Sequence, residues 1–290
     1  MKSSSIISIQ NSSWVIDQQQ LDWVSALESG KVLHFKKLPF EIAENERNLF
    51  KESIQNPSAR NISLGADGLL KGVNGEEATL DTLKQLILRF RNLSQDLIHS
   101  LVPKYAEHLK VAPTSFRPLN IESRQQSWRA DDTRLHVDAF ATRPNYGERI
   151  LRVFMNINPN NQPRVWRVGE PFEKIADQFL PLIKPYSKLQ AKLLHVLGLT
   201  KSFRSEYDHM MLQIHDAMKS DNSYQKNSPQ EQFDFMPGEV WVCFSDQTSH
   251  AAMSGQFMME QTYNLPIKAL YDPQSSPLAL LTSKARRKLV

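Results

Sequence analysis

His136 and Asp138 occupy alternate positions of the short run RLHVDAF. In an extended chain residues two apart point to the same face, so an imidazole and a carboxylate converge on one point. That is half of a metal site. An HxD triplet is common by chance, and the segment PGEVWVCFSDQTSH strengthens it. A Pro237-Gly238 turn, an apolar strand and a polar turn through Asp246 and Gln247 lead to His250 at the start of the next strand, which is how a jelly roll returns a second histidine to the same cavity. Two histidines and a carboxylate form a facial triad that leaves positions open for oxygen and a co-substrate, the chemistry of non-haem iron(II) oxygenases. Cys243 is the sole cysteine, so no internal disulfide and no cysteine-rich zinc centre can form, and any metal must use His and carboxylate ligands.

The other histidines have plainer expectations. His34 lies in a short strand, and His99, His108 and His195 lie in helical contexts without a partner ligand nearby. His209 and His215 share the stretch YDHMMLQIHD but are not spaced as a same-face pair, although either can line a substrate pocket.

A 2-oxoglutarate co-substrate chelates such a metal at one end and needs a buried cation at the other, best supplied by a bidentate Arg. In RILRVFMNIN, alternation sets Arg152, Phe154, Asn156 and Asn158 on one face and Leu151, Val153, Met155 and Ile157 on the other. A charge amid such an apolar strand either faces solvent or meets an anion. Arg152 is therefore the first candidate, the alternative being an internal pair with Glu148. Asn156 shares its face. In PRVWRV, Arg164 and Trp166 share a face and can add a second cation and an indole N–H, while Arg167 points away. Arg117, Arg134 and Arg143 lie near the triad in sequence. Arg134 alternates onto the face of His136 and Asp138, and its alternative role is an ion pair at the end of a barrel.

These residues need a sheet to hold them and helices to support it. QQQLDWVSALESG, EIAENERNLFKESI and the segment from Thr79 to Leu109 carry helical periodicity, with the strand VLHF between the first two. From Phe116 the pattern changes to short alternating runs, PLNIES, RLHVDAF, RILRVFMNIN and PRVWRV, broken by Pro, Asn, Gly and Asp. A second helical interval covers EPFEKIADQFL, SKLQAKLLHVLGL and SEYDHMMLQIHDAMKSD before strands resume at FDFMPGEVWVCF. The expectation is an α+β chain with a double-stranded β-helix (jelly-roll, cupin-like) core and buttressing helices. It would form one domain over 1–290: a mainly helical part at 1–112, the core at 113–268 with a helical insertion near 171–221, and a basic tail at 269–290.

The composition, 40% hydrophobic and 23% charged, suits a globular protein, and no apolar run is long enough to span a bilayer. The first residues lack a secretory signal, so the cytoplasm is the expected compartment. The net charge of +4 resides in Lys284, Arg286, Arg287 and Lys288. With Leu278, Leu280, Leu281 and Leu289 alongside, this tail can lie on an anionic membrane surface or phosphorylated head group, or be an ordinary solvated helix end. No nucleic-acid partner is expected.

Three blocks, HVDAFATRPNYGERILRVFMNINP, PRVWRVGEPF and FSDQTSHAAMSGQFMMEQTYNLP, resemble the Kdo hydroxylases, bacterial iron(II)- and 2-oxoglutarate-dependent dioxygenases. Their substrate is 3-deoxy-D-manno-oct-2-ulosonic acid (Kdo), the acidic sugar linking lipid A to the lipopolysaccharide core, which they hydroxylate at C3. The resemblance spans Arg117 to Pro266. It implies Fe(II), 2-oxoglutarate and O2 as cofactor and co-substrates, a Kdo-lipid A glycolipid as substrate, metal ligands at His136, Asp138 and His250, co-substrate contacts at Arg152, Arg164 and Trp166, and a basic pocket for the acidic sugar, for which Arg117, Arg134 and Arg143 are candidates. Many 2-oxoglutarate oxygenases place the carboxylate-binding cation shortly after the distal His. Here only Gln256, Glu260 and Gln261 precede Lys268, which moves that role to another strand and favours Arg152. The remaining alternatives are an oxygenase of another substrate, protein or small molecule, and a non-enzymatic sugar-binding jelly roll.

Overall fold

The computed structural model describes residues 4–122 and 126–290. Its strands in chain order are β1 (Ile6–Ile9), β2 (Val32–Phe35), β3 (Ile62–Leu64), β4 (Leu70–Lys71), β5 (Lys110–Arg117), β6 (Arg149–Asn156), β7 (Arg164–Val168), β8 (Glu231–Phe235), β9 (Val240–Phe244), β10 (His250–Ser254) and β11 (Met258–Leu265). The helices are α1 (Leu21–Glu28), α2 (Glu77–Leu101), α3 (Phe172–Phe179), α4 (Lys188–Val196), α5 (Glu206–Ser220), α6 (Asn222–Asn227) and α7 (Pro277–Ala285). The architecture is α+β. A large sheet has the order β1-β2-β9-β6-β11-β5-β3-β4, and a small sheet has the order β10-β7-β8.

Alternation along β6 divides the interior. Leu151, Val153 and Met155 join one apolar cluster with Leu83, Leu86 and Phe90 of α2. Phe154 turns the other way, toward Trp166 of β7 and Trp241 of β9. The large sheet therefore has a helix-covered face and a face that packs on the small sheet. Burying each large apolar side chain stabilises the fold by about 1.5–3 kcal/mol, which makes this two-sided packing the main source of rigidity. A third cluster joins α3, α5 and α7 to Leu135, Val137 and Ala251. Leu135 and Val137 thus anchor into helices while His136, between them, faces the opposite way.

The turn from β9 to β10 is buried from Ser245 to Ser249. Arg149, with no solvent exposure, holds it: Nε donates to Asp246 Oδ2 at 2.7 Å, Nη2 donates to Gln247 Oε1, and the guanidinium lies 4.0 Å from the Phe244 ring centroid. Asp138 N–H donates to Ser245 O at 2.8 Å, so the same turn fixes the chain at the HxD segment.

Several expectations need correction. The first third is less helical than its periodicity suggests, since β1 to β4 all lie there. EIAENERNLFKESI forms short 3-10 turns at Glu44–Leu49 and Glu52–Ile54. Buried Glu46 is clamped there by Arg89 of α2 at 2.9 Å, and this tertiary contact outweighs local propensity. PLNIES is not a strand in its described part. β5 ends at Arg117 because Pro118 cannot donate to a ladder, and Ser123 lies outside the described residues. RLHVDAF is extended but pairs only through one bridge, His136 with His250.

The C-terminal tail is docked onto the fold. Leu281 and Leu289 are buried, Leu278 and Leu280 pack against the helical cluster, Lys284 pairs with Asp177, and Arg287 pairs with Glu206. Its leucines are spent inside the protein, which removes the apolar half of the expected membrane contact.

Asp246→Ala strands the buried Arg149 charge and is expected to destabilise the protein by about 3–5 kcal/mol in urea unfolding. The double change Arg149→Met with Asp246→Leu should cost much less, since neither charge is then left alone.

Candidate active site

His136 and His250 exchange both backbone hydrogen bonds, His136 N to His250 O at 3.0 Å and His250 N to His136 O at 2.9 Å. This reciprocal pair sets the two rings 4.6 Å apart. With Asp138 they form a group whose ligand atoms all lie within 4.8 Å of one another. The Nδ1 of His136 is 2.7 Å from Arg134 O, and the Nδ1 of His250 is 2.8 Å from Thr248 O. A carbonyl can only accept, so each Nδ1 is the donor and each Nε2 keeps its lone pair for a metal.

Burial depresses the pKa of both imidazoles, the effect on His136 being reinforced by His250 and Lys219, so both rings are neutral at neutral pH. Burial works against the charge of Asp138, but the Arg152 guanidinium beside it holds the carboxyl below the usual carboxylate range. The donor set is therefore two neutral imidazoles and a carboxylate, already in the protonation states that a divalent metal requires.

Behind Asp138 runs a ladder of alternating charge. Arg152 reaches Asp138 Oδ2 at 2.9 Å and Glu260 Oε1 at 3.0 Å. Glu260 Oε2 meets Arg117 at 2.7 Å, Arg117 approaches Asp132 at 3.7 Å, and Asp132 meets Arg60 at 2.7 Å. Burial opposes ionisation of Glu260, yet Arg117 and Arg152 overcome it and lower its pKa. Arg152 thus bridges a candidate metal ligand and a buried structural anion. It does not pair with Glu148, whose partner is Lys110.

The triad opens into a cavity of about 940 Å³, near the upper end of small-molecule sites and so roomy enough for a co-substrate beside a sugar. Its deep wall is formed by Arg164 and Trp166 of β7, Phe154, Ala252 and Met258. Trp166 stacks on His250 with centroids 5.0 Å apart, and its buried Nε1 has no hydrogen-bond partner. Such a donor costs stability unless something accepts from it. Arg164 donates Nη1 to Gly255 O at 2.8 Å. Gly255 has φ +109°, and a Cβ there would sit 2.8 Å from Pro163 O, so only glycine lets this turn close on β7. Triad and orphaned indole together fit a metal with a chelating, carboxylate-bearing co-substrate.

Of the arginines expected to meet substrate, Arg117 and Arg143 line the cavity. Arg134 instead turns away, donating Nη1 to Lys219 O at 2.7 Å, at the C-terminal end of α5, and to Asn222 Oδ1 at 2.9 Å. The alternation that aimed it inward presumed a full strand, and the carbonyls ending a helix attract cations. Asn156 is also redirected. Its Nδ2 donates to Gln162 O and Phe235 O, so it ties the ends of β6 and β8 together and offers nothing to a co-substrate.

α5 adds one residue that the sequence did not single out and one that it did. Lys219, almost wholly buried, lines the cavity and donates to Arg129 O at 2.9 Å, and burial lowers its pKa. His215, read as a possible lining residue, does line it, edge-on to His136 at 5.5 Å and bonded to Asp216 at 3.0 Å. His209 faces the Lys184 carbonyl instead. Nothing local in the sequence marks Lys219, because its burial depends on how α5 packs against the distant segment that carries Arg129. Glu260 was visible only as the absence of an expected cation.

A model of the family described as 3-deoxy-D-manno-oct-2-ulosonic acid (Kdo) hydroxylase matches residues 10–288. The chain is similar to the apo structure of the Kdo hydroxylase KdoO, a non-haem Fe(II) α-ketoglutarate-dependent dioxygenase, with 45% identity over 98% of this chain and 97% of that one and a TM-score of 0.95. KdoO in complex with α-ketoglutarate and Fe(III) matches at 45% identity over the same shares, with a TM-score of 0.94. KdoO with cobalt(II) matches at 45% identity over 99% and 98% of the two chains, with a TM-score of 0.95. A comparison with curated protein sequences gives no match.

Cobalt(II) titrated calorimetrically into metal-free protein is expected to bind once, and His136→Ala or His250→Ala should weaken binding by more than about a hundredfold. Because both imidazoles are neutral and Asp138 is ionised near pH 7, binding should release well under about one proton per site, measured by repeating the titration in buffers of different ionisation enthalpy. Tight binding by both variants would remove the triad from the metal.

Proposed function

Because the chain belongs to the Kdo hydroxylase family, we propose that it is a non-haem iron(II)- and 2-oxoglutarate-dependent dioxygenase that hydroxylates Kdo at C3. The proposed substrate is Kdo in the lipid A-linked inner core of lipopolysaccharide at the cytoplasmic face of the inner membrane, and the proposed product is D-glycero-D-talo-oct-2-ulosonic acid. The observation that carries the reading is the convergence of two Nε2-presenting imidazoles and a carboxylate on one wall of a large cavity.

Strand order supports a double-stranded β-helix. Counting the His136 segment between β5 and β6, the strands from β5 to β11 alternate between sheets in the order one, two, one, two, two, one, two, one. The large sheet holds the first, third, sixth and eighth, and the small sheet the second, fourth, fifth and seventh. That is the path of a jelly roll. β1 to β4 extend the large sheet at both edges, so the whole chain, 1–290, is read as one oxygenase domain.

His136, Asp138 and His250 would hold iron, which with 2-oxoglutarate and O2 would supply the oxidant for C–H hydroxylation, with succinate and CO2 as the co-products. Arg152 engages Oδ2 of Asp138, so Oδ1, 3.8 Å from His136 Nε2, is the oxygen that would hold a metal. That arrangement makes Arg152 a positioning residue more than the anchor of the far 2-oxoglutarate carboxylate, since an anion arriving there would meet Asp138 and Glu260. Arg164 and Trp166 are the better anchor: a guanidinium and an unsatisfied indole N–H lie side by side in the deep wall.

The cavity lining holds more cations than carboxylates, which suits an acidic sugar. Lys219 on the wall and Arg143 at the mouth are assigned to the Kdo carboxylate and neighbouring phosphates, while Arg117 lines the cavity but is already paired with Glu260 and Asp132.

Incubation with Fe(II), 2-oxoglutarate and a Kdo-containing lipid A precursor is expected to add one oxygen to the sugar by mass spectrometry and to form succinate. Absence of that product from protein that consumes 2-oxoglutarate would defeat the substrate assignment. Arg164→Ala is expected to raise the 2-oxoglutarate KM by about tenfold or more while cobalt affinity is unchanged. Arg152→Ala should weaken cobalt binding as well, because Asp138 loses its buried partner; the reverse pattern would exchange the two roles.

A further inference from the structure

α4 stands out from the other helices because it buries almost nothing. Ala191 is its one buried residue. Leu189, Leu193 and Val196, spaced to share one face, are 81%, 57% and 72% exposed. Leu182, Leu197 and Leu199, flanking the helix, are also more than half exposed. Single exposed leucines are ordinary on a protein surface, but five leucines and a valine within one short segment form a patch of the kind that marks an interaction site.

Charge says what the patch meets. From residue 180 to residue 205 the chain has no Asp or Glu, while Lys184, Lys188, Lys192 and Lys201 are all exposed. Leucines interleaved with lysines, without acids, suit the boundary of an anionic lipid layer: the apolar side chains enter the acyl region and the ammonium groups stay among the phosphates.

The patch is tied to the mouth of the cavity. Lys201 N donates to Thr142 O at 2.9 Å, Arg204 Nη2 donates to Ala141 O, and Tyr146 Oη donates to Phe203 O. Ala141, Thr142 and Arg143 line the cavity. Among the described residues no helix is long and apolar enough to cross a membrane, so contact through this segment would be peripheral.

We infer that α4 and its flanks, residues 182–203, form a docking surface for anionic phospholipid bilayers that holds the cavity mouth beside the membrane. The purpose of docking rests on the glycolipid substrate proposed above, whereas the docking itself rests only on the patch. It assigns to α4 the membrane contact that the sequence had suggested for the C-terminal tail.

The test is flotation of the full chain with vesicles of phosphatidylethanolamine and phosphatidylglycerol, compared with phosphatidylcholine alone and with no substrate present. Wild type is expected to float with the anionic vesicles and to be released by high salt. Leu189→Glu with Leu193→Glu, and separately Lys188→Glu with Lys192→Glu, should each reduce the bound fraction by about tenfold or more. Both pairs are exposed, and unchanged turnover of a water-soluble Kdo glycoside would show that the variants fold.

Wild type that stays with the unbound fraction, or variants that float equally well, would overturn the inference. A wild-type dimer that Leu189→Glu with Leu193→Glu converts to monomer, without lipid binding, would also overturn it by giving the patch to a second copy. The soluble glycoside separates the two claims: turnover without flotation leaves the activity standing and removes the docking, and flotation without turnover does the opposite.

Discussion

Two backbone hydrogen bonds between His136 and His250 hold the rest of the site in place. They join an extended segment, which has no other ladder partner among the described residues, to the start of β10, and they fix the ring separation on which a shared ligand point depends. The segment keeps its orientation because Leu135 and Val137 sink into the α3, α5 and α7 cluster on one side while Asp138 is tethered to the buried Ser245 carbonyl. The helices inserted between β7 and β8 are thus more than a cover. They press the HxD run against the small sheet from outside.

The second constraint is charge. Asp138, Arg152, Glu260, Arg117, Asp132 and Arg60 form a continuous alternation along one wall of the cavity. A buried charge is tolerable only when paired, so each member fixes its neighbours, and the rotamer of Asp138 is set from far beyond the triad. Glu260 occupies the strand where many oxygenases of this class carry a cation. Its presence explains why Arg152 is held between Glu260 and Asp138, and the proposed anion site therefore falls to the wall of Arg164 and Trp166.

Much of this was legible in the sequence because strand alternation is a strict geometric rule. It correctly separated Leu151, Val153 and Met155 from Arg152 and Phe154, and it set Arg164 and Trp166 on one face. The same rule misdirected Arg134, where the chain is extended but unpaired and a helix end offered better acceptors. Asn156 lies on the expected face, yet nearby carbonyls claim its amide. The C-terminal leucines and the leucines of α4 look alike in sequence. Only the structure shows that α7 packs inward while α4 stands clear, since that difference depends on which surfaces are already filled.

The claim on which the account rests is that the His136, Asp138 and His250 cluster holds the iron that oxidises Kdo. The most direct measurement is turnover under isotopically labelled O2, with mass analysis of both products and His136→Ala as the control. The account requires one labelled atom in succinate and label in the hydroxylated sugar, with neither formed by the variant. An unlabelled sugar product, or a labelled one from the variant at the wild-type rate, would contradict it.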